Sequence, residues 1–109
     1  MRPFFIQKNT LPLQKKCLME FEWDENKRLA NLEKHGIDFV KARVVFDDPF
    51  RVKEIDNRKD YGEVRIKTTG KFKDEVIVIV THTDRNGIIR IISARRTNKK
   101  ERSLYYGNR

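Results

Sequence analysis

Residues 76–96 hold two β-rich runs joined through Asn86-Gly87, and nothing else in the chain restricts the fold so tightly. Both central residues of a type I′ turn need positive φ, which Asn-Gly tolerates, so the pair predicts a β-hairpin. The first run, Val76-Ile77-Val78-Ile79-Val80, is apolar throughout and reads as a central strand covered on both faces. The second, from Ile88 onward, is interrupted by arginines, and a guanidinium is expensive to bury unpaired. A small sheet with a dry side and a cationic side points to an anionic partner.

A two-residue loop pairs Arg85 with Ile88, Thr83 with Arg90 and Thr81 with Ile92. Opposite residues share a face. Thr81, Thr83, Arg85 and Arg90 therefore fall on one side, and Val76, Val78, Val80, Ile89 and Ile91 on the other. The polar side is the candidate site, and the apolar side should lie under helices. The same alternation turns His82 toward the helices as a packing residue. It also puts Arg95 on the core-side parity, at the end of its strand. From there Arg95 either reaches around the sheet edge to a phosphate or pairs with a carboxylate such as Asp24 or Glu22.

Upstream, Glu20-Phe21-Glu22-Trp23-Asp24 alternates like a strand and runs into a helix cap at Asp24. A helix is predicted over 25–35, with Leu29 and Leu32 on one side and Gly36 as its left-handed terminator. Asp38 caps a second helix carrying Phe39, Ala42, Val45 and Phe46 at helical spacing, and Asp47-Asp48-Pro49 stops it. A strand over 50–55, a charged turn over 56–62 and a strand over 63–69 precede the hairpin. Asn98 and Glu101 form a variant of the capping box for a closing helix. The order β-α-α-β-β-β-β-α predicts an α+β domain, with an antiparallel sheet, two N-terminal helices packed on one face and a C-terminal helix.

A chain of 109 residues suffices for one domain. Residues 1–18 contain Pro3 and Pro12 and share no periodicity with the rest. They are expected to be a poorly ordered extension before a domain spanning 19–109 whose natural start is Met19. No apolar run approaches the roughly 18 residues of a membrane span. The single Cys17 excludes an internal disulfide and a cysteine-based zinc site and fits a reducing cytoplasm. His35 and His82 lack metal-ligand spacing, so neither a metal nor a cofactor is expected. The net charge of +9 makes nucleic acid the leading partner, against the plainer reading of lysine-rich solvation.

Arg65 and Lys67 line one face of their strand. They join Arg85 and Arg90 if an odd number of residues makes the loop around 71–75, an arrangement favoured by the burial of Val64 and Ile66. Glu63, with Asp60 nearby, sets a carboxylate beside these cations. Such a carboxylate can take the proton of a ribose 2′-hydroxyl as that oxygen attacks the adjacent phosphate. Arginines can hold the charge that gathers on the phosphate oxygens. The opposing reading is a solvated basic edge, or a module that binds nucleic acid without cutting it. His35 stands at a helix C-terminus, where the dipole favours imidazolium. Asp84, just before Arg85, is placed to mute that arginine.

Phe21-Glu22-Trp23-Asp24-Glu25-Asn26-Lys27, Lys34-His35-Gly36-Ile37, Asp48-Pro49, Asp60-Tyr61-Gly62-Glu63 and Arg90-Ile91-Ile92-Ser93-Ala94-Arg95 stand in characteristic order and spacing. Residues 19–109 resemble the BrnT toxins of bacterial type II toxin–antitoxin modules. The resemblance implies a RelE-like fold and endoribonuclease activity that arrests translation. It also implies a BrnA-like antitoxin with a ribbon-helix-helix region, through which alone the toxin would meet operator DNA. The matching polar positions are Lys34, His35, Glu63, Arg65, Arg85, Arg90 and Arg95. The expected roles are Glu63 as general base, Arg65, Arg85 and Arg90 on the phosphate, and His35 or Lys34 as acid or positioning group. Lys67, Arg95 and Arg96 would follow the RNA, an mRNA either free or on the ribosome.

Overall fold

The computed structural model describes the backbone of residues 4–8 and all of 19–56 and 62–107. Most of the charged turn, including Asp60, lies outside the described residues. In chain order the elements are β1 (Phe4–Lys8), β2 (Glu20–Asp24), α1 (Glu25–His35), α2 (Phe39–Ala42), a 3₁₀ turn (Arg43–Asp47), β3 (Val52–Asp56), β4 (Arg65–Lys73), β5 (Val76–Arg85), β6 (Ile88–Arg96) and α3 (Lys99–Gly107). Among the described residues no helix is long and apolar enough to cross a membrane.

The local signals act as their chemistry dictates. Asp24 accepts from the Asn26 amide at 2.9 Å and starts α1. Gly36 ends α1 at φ 73°, its amide donating to the Leu32 carbonyl. Asp38 caps α2 through the Val40 amide. Asn86 and Gly87 both take positive φ and close the β5–β6 hairpin. Asn98 and Glu101 exchange reciprocal 2.8 Å bonds at the start of α3. The second predicted helix is shorter than its periodicity suggests: four α-helical residues continue as a 3₁₀ turn up to Asp47.

Six strands form one sheet in the order β1-β2-β6-β5-β4-β3. The sheet is mixed, because β2 and β6 run parallel while the other neighbours are antiparallel. The antiparallel expectation fails at this one junction. β2 enters the sheet beside β6 only after the chain has gone round through α1, α2 and three further strands. Phe4–Lys8, within the segment expected to order poorly, pairs with β2 as β1.

One face of the sheet carries the core. Phe21, Trp23, Val78, Val80, Ile91 and Ala94 pack beneath Ile37, Phe39, Ala42, Val45 and Phe46. The rings of Phe21 and Phe46 lie 5.4 Å apart, and Trp23 meets Phe39 edge-on at 6.1 Å. Gly70 lets the 3₁₀ turn sit on β4: a Cβ there would come within 2.9 Å of both the Val45 side chain and its carbonyl oxygen.

Two further features concern how the helices meet the sheet. Leu29 and Leu32 are exposed, and the buried residue of α1 is Asn31. Its amide nitrogen donates to the carbonyls of Ile37 and Ala94, and its oxygen accepts from the Ala94 amide. β2 pairs with β6 only as far as Trp23 and Ile91, so Asn31 supplies the backbone bonds that the strand edge would otherwise lack. α3 does not join the other helices. Tyr105 and Leu104 face Val52, Thr69 and Ile79, on the sheet side opposite the core.

Candidate active site

The register assembles the polar face. In β5, Ile77, Ile79, Thr81, Thr83 and Arg85 alternate onto it, and α3 covers the isoleucine end but, among the described residues, no helix covers the remainder. Residues 72–76 separate the paired Lys71 and Ile77, an odd count made by the Asp74-Glu75 turn plus a bulge between Lys71 and Lys73. Arg65 and Lys67 consequently share the face of Arg85 and Arg90, with Lys67 opposite Thr81 and Arg65 beside Thr83.

Across the strands runs a single row. Glu22 of β2 pairs with Arg90 of β6, Arg90 with Thr83 of β5, and Arg65 of β4 with Asp56 of β3. Arg90 Nη1 stands 3.4 Å from Glu22 Oε2. Glu63 binds Arg85 Nη2 through Oε1 at 2.7 Å and lies 3.9 Å from Arg65 Nε through Oε2. That hydrogen bond raises the pKa of Arg85 above its usual value. Lys67 Nζ faces Glu54 at 3.7 Å in the neighbouring row.

The remaining predicted residues are placed elsewhere. Thr81 pairs with Ser93 and His82 with Ile91, so Ile92 is an extra residue that shifts the alternation. The Thr81–Ile92 pairing is thereby lost, and Arg95 moves from the core parity to the polar face. There it forms a two-pronged pair with Glu101 of α3, at 2.9 and 2.8 Å, rather than with Asp24 or Glu22. That pairing holds the Glu101 carboxyl down at about 2. Arg96, opposite Val78, falls on the other face. Lys34 and His35 end α1 in the helical layer and are not brought to the arginines. Asp84 does not mute Arg85. It points to the core side and binds His82 Nδ1 at 2.7 Å, and the partner of Arg85 is Glu63.

Sequence reasoning missed three residues of the row, and Asp56 was read only as part of the charged turn. Glu22 was legible as facing away from Phe21, but its neighbour Arg90 depended on a parallel pairing with no local signal. Thr83 was placed on the correct face without being counted as part of the site. Among the described residues no group of three or more His, Cys, Asp or Glu side chains is arranged to hold a metal.

A sequence profile for the family described as ribonuclease toxin, BrnT, of type II toxin-antitoxin system matches residues 23–101. The chain belongs to the BrnT family. The 1.1 Å crystal structure of the Brucella abortus ribonuclease toxin BrnT is similar to it, with a TM-score of 0.52 and 25% sequence identity over 71% of this chain and 94% of that one. No curated protein matches the chain. The BrnT profile spans β2 Trp23 through α3 Glu101, so it contains the arginines of the row and the Arg95–Glu101 pair, while Glu22 precedes it by one residue.

Proposed function

We propose that this chain is a metal-independent endoribonuclease toxin of RelE-like architecture that arrests translation and is neutralised by a BrnA-like ribbon-helix-helix antitoxin. The observation that carries the reading is the convergence of Arg65, Arg85 and Arg90 on one face of the sheet, with the carboxylates of Glu63 and Glu22 among them. A phosphodiester has the charge and the planar oxygen pairs to replace those carboxylates as the arginines' partner.

In the proposed reaction Glu63 takes the proton from a ribose 2′-hydroxyl. That oxygen forms a bond to the adjacent phosphorus, and the bond from phosphorus to the 5′-oxygen breaks. The leaving oxygen takes a proton from water, giving a 2′,3′-cyclic phosphate and a free 5′-hydroxyl. Arg65 and Arg90 hold the non-bridging oxygens, where charge gathers in the transition state. Guanidiniums already gathered on that face by their carboxylate partners exchange a carboxylate for the phosphate to do so. Lys67 extends the basic surface along the strand. Lys34, His35 and Arg96 have no part in this arrangement, and Arg95 serves the docking of α3.

Cleavage of a labelled RNA by the purified chain tests the reading. Arg90→Lys keeps the charge but loses the paired planar donors. It should slow cleavage by about two orders of magnitude, the typical worth of one oxyanion donor, while changing RNA affinity little. Glu63→Gln should also cut slowly, EDTA should have no effect, and the products should carry cyclic phosphate ends. Parallel losses of rate and affinity in both variants would mark a binding module instead. Activity abolished by EDTA and restored by a divalent ion would end the metal-free mechanism.

A further inference from the structure

Thr83 stands in the middle of the arginine row, yet the chemistry above gives it no task. It is 2% exposed, and its hydroxyl oxygen has no hydrogen-bond partner among the described residues. Buried hydroxyls are almost always paired, because an unpaired one has given up its water for nothing. A valine would fill the same space on this strand without that penalty.

The surroundings of this hydroxyl are those of an anion site. Arg90 is its cross-strand partner on β6, and Arg65 flanks it on β4. Neighbouring strands lie about 4.8 Å apart, so the two arginine chains spring from the sheet roughly 10 Å apart, astride the hydroxyl. Glu22 on β2 and Asp56 on β3 flank the two arginines in the row. The Arg65 and Arg90 side chains are 23% and 25% exposed, folded down against the sheet toward Glu63 and Glu22. An anion that draws both guanidiniums upward opens the space above Thr83.

We propose that the Thr83 hydroxyl donates a hydrogen bond to a non-bridging oxygen of the phosphate held between Arg65 and Arg90. The identity of that phosphate as the scissile one rests on the ribonuclease reading. The contact itself rests on the row and on the unpaired hydroxyl. With the two guanidiniums at the sides and the hydroxyl beneath, the phosphate is held from three directions. A phosphorus passing through five-coordination then keeps its equatorial oxygens against fixed donors.

The test uses Thr83→Val and Thr83→Ser in the full chain, with three measurements: thermal melting, RNA cleavage, and affinity for a 2′-O-methyl RNA of the same sequence. That oligonucleotide presents the phosphates but cannot be cut by 2′-oxygen attack. Thr83→Val should melt no lower than the wild type, because the hydroxyl supports nothing in the free protein. It should lose about ten- to a hundredfold in kcat/KM, the worth of a hydrogen bond to a charged oxygen, and bind the 2′-O-methyl strand more weakly. Thr83→Ser should keep both activities. Wild-type cleavage by Thr83→Val overturns the proposal, as does its failure to fold, which would give the hydroxyl a structural task. Equal losses in Thr83→Ser and Thr83→Val would assign the effect to the methyl group and overturn it too. If the wild type cuts no RNA, the ribonuclease reading falls separately. Affinity for the 2′-O-methyl strand then decides the Thr83 contact: weaker in Thr83→Val upholds it, unchanged rejects it.

Discussion

His82 shows how one side chain can be polar and still belong to the core. It is buried edge-on against Phe46 at 5.0 Å, with Thr68 Oγ1 2.8 Å from Nε2 and Asp84 2.7 Å from Nδ1. In the neutral ring Nδ1–H donates to Asp84 and Nε2 accepts from Thr68. Burial lowers the pKa of this histidine below its usual 6.5, and the nearby Asp84 opposes that shift without cancelling it. A histidine with a depressed folded pKa binds its proton more readily when unfolded. Its contribution is therefore complete above the unfolded pKa and is lost as the pH falls below it. Melting temperature should drop as the pH is lowered through about 6.5, and more steeply in the wild type than in His82→Gln. Identical pH slopes in the two proteins would show that the fold does not lower the affinity of this ring for its proton.

Among the helices, α1 depends least on its own apolar surface. Its leucines face outward, and Asn31 ties it to the sheet through a pair of bonds with the Ala94 backbone. Asn31→Leu would raise the apolar content of the helix yet strand an amide and a carbonyl at the edge of β6. The expected loss is about 2 kcal/mol, from the desolvation of unpaired backbone groups, and chemical denaturation would measure it. A neutral or stabilising result would mean that the strand edge can find other partners. α3 makes the complementary case. Its capping box and the Arg95–Glu101 pair hold it over Ile79, which dries one half of the second sheet face and, among the described residues, leaves the arginine half without a helix over it.

For the molecule as a whole, the arginine row and the core are, among the described residues, built from β2 onward, and β1 pairs with the outer edge of β2. A chain beginning at Met19 should therefore fold and cleave RNA at close to the rate of the full chain. Its β2 edge would be uncovered, so self-association at high concentration is the expected penalty. Circular dichroism, sedimentation and RNA cleavage on the two chains would check this. Loss of cleavage in a monomeric, folded Met19 chain would tie the N-terminal segment to function.

Much of this was readable before the fold. The caps at Asp24, Asp38 and Asn98, the terminator Gly36 and the Asn86-Gly87 turn have their determinants within about four residues, because φ preferences and side chain-to-backbone bonds act locally. The same turn correctly set Arg85 against Ile88 and Thr83 against Arg90, the pairs nearest to it. Beyond Ile92 that reading failed, since a bulge is chosen by how two strands pack rather than by the residues of one. The parallel meeting of β2 with β6, the face taken by α3 and the separation of His35 and Lys34 from the arginines had no local signal either. Each depends on burial balanced across segments distant in sequence, and so does the row that brings Glu22, Arg90, Thr83 and Arg65 side by side.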